Sequence, residues 1–226
     1  MRATLIVILL SASAGLGLSG EAQAQAAETA RPVVMFSTDY GLGIIDGATN
    51  GPDRHAADAD DAYAVSLVLQ AANVRAVVST FGNSKARPSA ESARRGMAAL
   101  GVRDAGDIVV TGAEGFLDAT PVSFVPDDGS GSAPFYCVNE GVERMSSVLR
   151  DNEPGAVTLF AIGPFTDVAC LQRAFADDFS KLREIIALVG STDGAPVPGG
   201  NPVVDFNFAM DPSALGEVIA GDRSVP

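Results

Sequence analysis

The sequence predicts an α/β fold, a mostly parallel sheet flanked by helices. Short β-branched runs alternate with helix-periodic stretches over most of the 226 residues, which is the pattern of βαβ units. Acidic, amide and glycine residues gather directly after the strand-like runs, at the strand ends where sheets of this kind bind ligands. No internal repeat or low-complexity tract divides the chain, and the stretch from residue 27 onward, about 200 residues, suffices for one domain with a real core.

Residues 1–26 hold Arg2, an apolar core from Leu5 to Leu10 and a small-residue tail ending Ala24-Gln25-Ala26, the pattern of a cleaved secretory signal. The core is too short to span a bilayer, and no later segment reaches the roughly 20 apolar residues that a spanning helix needs. The domain is therefore expected over 27–226, in a periplasmic or secreted protein with no membrane contact after cleavage. Val33 to Phe36 is a continuous apolar run and reads as the first strand, followed by an amphipathic helix from Ala62 to Gln70. Val74 to Ser79 gives a second strand, Ser89 to Leu100 a helix, Ile108 to Val110 a short third strand and Gly141 to Arg150 a helix. Val157 to Ile162 is the fourth strand, Thr166 to Phe175 a helix, Ile185 to Val189 the fifth strand, and Pro212 to Ala220 the last helix. The glycine- and proline-rich stretches from Leu42 to Ala57 and from Glu114 to Ala133 read as long loops.

A formal net charge of -13 argues against nucleic acid or an anionic membrane as partner and favours a cationic ligand. Cys137 and Cys170 either pair in an oxidising compartment or leave Cys170 a buried free thiol, since sequence gives neither their distance nor their geometry. Neither has a His or second Cys at metal-ligand spacing. His55, the single histidine, falls in the first long loop, where simple exposure is commoner than catalysis.

Asp39 ends the first strand, while Asp60 and Asp61 open the first helix. Carboxylates gathered in this way repel one another unless something positive sits among them. The plainer reading gives Asp60 and Asp61 to the helix N-terminus, whose dipole favours acids. Thr80-Phe81-Gly82-Asn83, Gly163-Pro164-Phe165-Thr166 and Gly190 to Asn207 follow three further strands, so four polar loops converge on one rim.

Taken together, Thr38-Asp39-Tyr40-Gly41, Asp60-Asp61-Ala62, Ser79 to Asn83, Ala161 to Asp167 and Asp205 to Pro212 resemble the calcium-dependent, inosine-uridine preferring nucleoside hydrolases, from about Val33 to Pro226. The resemblance implies a Rossmann-like nucleoside hydrolase fold, Ca2+ as cofactor, and hydrolysis of the N-glycosidic bond of a ribonucleoside to ribose and free base. It implies that Asp39 and Asp61 bind calcium, that the Ile162 carbonyl completes the metal shell, and that Asp39 activates a calcium-bound water. Asp60 and Asn83 match residues that contact the ribose hydroxyls. Asn201, Asp205 and Asn207 resemble the later ribose-contacting group, where the family usually has Glu at the 205 position. A small-molecule nucleoside is the implied partner, and homo-oligomers are common in the family. The residue types suit the chemistry independently: an oxocarbenium-like sugar needs nearby negative charge, an activated water and fixed hydroxyls.

The sequence departs from the family pattern at three places. The compact acidic motif is interrupted from Leu42 to Ala59, Ser37 stands where the first motif acid is usual, and relatives continue beyond Pro226 into a region bearing a further calcium carboxylate and often a histidine. Asp211 resembles a structural residue that caps the next helix. The expectation is a nucleoside hydrolase domain incomplete at its C-terminus; the alternative is a catalytically inactive calcium or ribosyl-ligand binding protein, or an incomplete fragment of the hydrolase. A phosphatase is disfavoured because Ser37-Thr38-Asp39 lacks the acid pair and no well-placed cation follows it.

Overall fold

The computed structural model describes residues 31–44, 57–117, 137–189 and 205–221; the predicted signal, His55 and Asn201 lie outside them. The strands among these residues are β1 (Val33–Thr38), β2 (Asn73–Ser79), β3 (Val109–Thr111), β4 (Val157–Ala161) and β5 (Leu182–Ala187). They form one sheet in the order β3-β2-β1-β4-β5, and every pairing is parallel. The predicted α/β class and parallel sheet are therefore observed. No helix among the described residues is long and apolar enough to cross a membrane.

Helices α1 (Asp60–Ala71), α2 (Ala86–Ala99), the short α3 (Ala105–Ile108), α4 (Glu140–Arg150), α5 (Thr166–Ala174), α6 (Ala176–Phe179), α7 (Phe206–Met210) and α8 (Pro212–Gly221) complete the described elements. β1 is central and almost wholly buried, which explains its continuous apolar run. Alternation along it feeds two cores. Val34 and Phe36 pack with Val77, Val65 of α1 and Ala90, Ala93 and Met97 of α2. Met35 packs on the other face with Leu159, Val142 and Met145 of α4, and Val168 and Leu171 of α5.

α2 buries Ala86, Ala90, Ala93 and Met97, the spacing of one helical face. Pro88 is tolerated because it sits in the first turn, so α2 begins three residues before the predicted Ser89. α4 is capped by Asn139, whose side chain accepts from the Val142 N–H at 3.0 Å, with Glu140 and Glu143 in its first turn and Arg150 in its last; both ends suit the helix dipole. β5 starts at Leu182 rather than Ile185, since Leu182 already pairs with Val157. Arg183 and Glu184 hide that start from a hydrophobicity pattern, as polar residues on an edge strand do. Similarly, Ile108 ends α3 and leaves β3 to begin at Val109.

Cys137 and Cys170 are joined in a disulfide, with 33 residues of sequence separation. The bond ties the chain ahead of α4 to the middle of α5, and resolves the two options left open by the sequence. In the chain-entropy picture, a loop of this length contributes about 3–4 kcal/mol to stability. Urea unfolding with and without a reductant should show a loss of that order. Superimposable curves would show that the bond carries no stability.

Candidate functional site

The chain runs from β1 through β2 to β3 in one direction, then crosses by α4 to β4 and continues to β5 on the other side. The strand order therefore reverses between β1 and β4, and ligands bind outside the carboxyl ends of strands at such a point. Asp39 leaves β1 there and Ile162 leaves β4. A cavity of about 110 Å³ opens between them. Asp39, Asp60, Asp61, Asn83, Ile162, Asp205 and Asn207, predicted from sequence, all line it, joined by Asp58, Leu188 and Phe206. A larger and more open hollow of about 380 Å³ lies over Arg173 to Asp178, where α5 leads into β5 and none of the predicted residues is present.

Asp39 and Asp61 are each only 2% exposed. The Thr38 hydroxyl donates to Asp61 Oδ2 at 2.6 Å, and the Asn83 backbone N–H donates to Asp39 Oδ2 at 2.8 Å. Burial pushes the Asp39 carboxyl well above its usual 3.8, and the neighbouring Asp61 charge adds to that. Burial likewise raises Asp61 to about 7, against the pull of the Thr38 hydrogen bond. Burying an ion costs several kcal/mol, whereas a hydrogen bond to a charged group returns only about 1.5–3 kcal/mol. Two ionised carboxylates here therefore need a proton or a cation between them. Among the described residues, no lysine or arginine lines the cavity.

The two amides spend donors on the protein. Asn83 Nδ2 donates to Asp58 Oδ1 at 3.0 Å, and Asn207 Nδ2 donates to the carbonyls of Ile162 at 2.9 Å and Leu188 at 3.2 Å. Asn207 thereby keeps its Oδ1, an acceptor, for a ligand, and Asn83 keeps its Oδ1 and one N–H. Asp205 uses one oxygen to cap α7, accepting from the Phe208 N–H at 2.8 Å. The lining is thus an acceptor surface, complementary to hydroxyl groups and cations.

Asp39 is held in a slot walled by glycine. At Gly82, where φ is +148°, a Cβ would stand 2.2 Å from Asp39 Oδ2; at Gly163 it would stand 2.7 Å from the Asp39 backbone nitrogen. The acid pair reaches Asp39 across the interrupted motif because the excursion is closed at its base: the Ile44 N–H donates to Gly41 and the Ala57 N–H to Ile44, both at 3.0 Å.

Nothing in the sequence singles out Asp58, since an acid in a polar loop ahead of a helix carries no mark that separates a site residue from a solvated one. Leu188 and Phe206, 49% and 46% exposed, were missed because apolar residues in a chain are first assigned to the core. Asp211 proves structural. Its carboxylate accepts from Ala214 N–H at the start of α8, from the Thr166 hydroxyl and from Leu117 N–H.

The chain is similar to known proteins. The profile of the inosine-uridine preferring nucleoside hydrolase family matches residues 55–225. The pyrimidine-specific ribonucleoside hydrolase RihA of Citrobacter koseri is 29% identical over 171 residues, covering 69% of this chain and 51% of that protein. RihA of Klebsiella pneumoniae is 35% identical over 82 residues, covering 36% of this chain and 24% of its own length. Among solved structures, an inosine-guanosine nucleoside hydrolase superposes with a TM-score of 0.59 at 23% identity, covering 86% of this chain and 59% of that one; this likeness is one of fold. The chain spans about half or less of the length of these curated relatives. With the profile covering most of its residues, the chain belongs to the inosine-uridine preferring nucleoside hydrolase family.

Proposed function

We propose that the site binds a ribonucleoside and hydrolyses its N-glycosidic bond to ribose and free base. The observation that carries this reading is the acceptor-lined cavity holding two buried carboxylates, with no cationic side chain among the described residues that line it, at the switch point of the sheet. Sugar hydroxyls supply the donors that such a lining needs. The donor set also fits calcium, a hard cation that prefers oxygen ligands: Asp39, Asp61 and the Ile162 carbonyl would hold it. Calcium bound there supplies the charge that offsets the carboxylate pair and lowers the pKa of a nearby water.

In this reading the Asp39 carboxylate, one oxygen of which is held by the Asn83 N–H, accepts a proton from the attacking water. The carboxylates facing the sugar favour the positive charge that develops as the glycosidic bond breaks. Asp60, Asp205 and the Oδ1 atoms of Asn83 and Asn207 accept hydrogen bonds from the ribose hydroxyls and fix the ring. In this reading residues 1–26 are a secretory signal and 27–226 the hydrolase-like domain, periplasmic or secreted; the paired cysteines support an oxidising compartment.

A second reading, ligand binding without turnover, is favoured by one observation. Among the described residues no three Asp, Glu, His or Cys side chains close on a single point, which leaves the proposed shell short of the about six to eight oxygens calcium takes. Release of free base from inosine, uridine, adenosine and guanosine, with calcium and then with a chelator, separates the two. Calcium-dependent release is expected. Calcium binding without release would establish the binding protein.

Two substitutions test the role of Asp39. Asp39→Asn should abolish release and weaken calcium binding together, and retained turnover would remove Asp39 as the base. Gly82→Ala drives a methyl into the Asp39 carboxylate and should cost on the order of 100-fold in kcat/KM, the scale of a displaced catalytic group. Wild-type activity in a folded Gly82→Ala protein would show that the slot is not needed.

A carboxyl raised in the folded state stabilises the fold while protonated, and that contribution is lost as pH rises through its folded value. For Asp61 the window runs from 3.8 to about 7, and the raised Asp39 acts in the same direction. The chelated protein should therefore have a lower Tm at pH 8 than at pH 5, with calcium restoring more at pH 8. An equal calcium effect at both pH values would contradict the shared cation site.

A further inference from the structure

We propose that Asp58 is a positioning residue of this site, fixing the Asn83 amide so that Oδ1 rather than Nδ2 meets a sugar hydroxyl. The proposal rests on the nucleoside-binding reading above. Asn83 is pinned at two points, its backbone N–H on Asp39 Oδ2 at 2.8 Å and its Nδ2 on Asp58 Oδ1 at 3.0 Å. The two ends of an amide are nearly the same in size and shape, so a neighbour must choose between its two orientations. An ionised carboxylate only accepts, and it therefore selects the orientation that gives it the NH₂ group and turns the carbonyl oxygen away. The opposite orientation would set oxygen against oxygen.

Asp58 can act in this way because its own place is fixed. It follows Ala57, whose N–H closes the neck of the excursion on Ile44 at 3.0 Å, and its carbonyl lies against Gly41 so closely that a Cβ there would stand 2.5 Å from it. Its carboxylate therefore comes from a closed neck and lines the same cavity as Asp39, Asp60 and Asp61. Through Asn83 it is linked to Asp39, the proposed base. Acting by way of Asn83, it sets what the cavity presents to the substrate: an acceptor where an unoriented amide would present either group.

The test is a double-mutant cycle on kcat/KM for base release with Asp58→Ala, Asp58→Asn, Asn83→Ala and the Asp58→Ala/Asn83→Ala pair. Asp58→Ala should lose about tenfold, the low end for a hydrogen bond to a charged group at an exposed pair. Asp58→Asn keeps an acceptor for Nδ2 and should stay within about threefold of wild type. In the Asn83→Ala background, Asp58→Ala should have no further effect. An Asp58→Ala penalty that persists without Asn83, an absent penalty, or an Asp58→Asn protein as impaired as Asp58→Ala would each overturn the proposal. If the wild-type chain releases no base, the hydrolase reading fails, and the same proteins are compared by calorimetry for binding of pseudouridine, whose base is joined through carbon and cannot be hydrolysed. The same coupling in binding would uphold Asp58 alone; additive losses, or no binding by any of the proteins, would overturn it as well.

Discussion

The structure depends on keeping Asp39 and Asp61 side by side out of water. Each is nearly fully buried, and the burial that raises both carboxyls is an unfavourable term that the rest of the fold must sustain. It does so by continuing the parallel ladder past the ends of the strands. The Thr80 N–H donates to Thr38 at 2.8 Å, and the Ile162 and Gly163 N–H groups donate to Ser37 at 2.9 and 3.2 Å. The backbone that carries Asp39 is thereby clamped from both neighbouring strands, and Thr38, on the same short segment, supplies the hydroxyl that holds Asp61. Only a central strand has neighbours on both sides to do this.

Other buried acids show what a structural carboxylate looks like in the same molecule. Asp167, fully buried, accepts from the Ala113 N–H with both oxygens and from Asn139 Nδ2. Asp211 holds the Leu117 N–H, the Thr166 hydroxyl and the Ala214 N–H. Both are surrounded by donors and tie loops to helix starts, as buried polar groups generally must. Asp39 and Asp61 instead face one another and further acids. Buried carboxylates supplied with donors make structure, whereas buried carboxylates set against carboxylates store a demand for positive charge. The contrast within one fold is a stronger argument for a site than the acidity of the cluster.

The fold was largely legible because its central strands are buried on both faces and so read as unbroken apolar runs. The candidate site was legible through strand ends: Asp39, Asn83 and Ile162, which line the cavity, each follow a run that reads as a strand. Edges and short elements were not legible. The start of β5 is masked by Arg183 and Glu184, and α7 lies next to a stretch that reads as loop and depends on a single cap by Asp205. Partners distant in sequence were beyond the pattern as well. The disulfide could be offered only as one of two options, and nothing in the residues near Asp58 or Asp167 announces that one meets Asn83 and the other Ala113, 25 and 54 positions away.

The interruption between Asp39 and the acid pair shows why the spacing of a motif is a weaker guide than its place in a fold. Lengthening a loop costs little, about 0.6 kcal/mol for each doubling, and here the excursion closes at its own base through Gly41, Ile44 and Ala57. The chain can therefore leave after the strand and return at the helix with the geometry of Asp39 and Asp61 unchanged. The family profile matches from residue 55, beyond Asp39, and the linear motif is interrupted from Leu42 to Ala59. The sheet has no such break, since β1 pairs with β2 from Val33 to Thr38 and with β4 from Val33 to Ser37. What the proposed chemistry requires is that one acid end the central strand and another begin the helix beside it, and an excursion between them alters neither position.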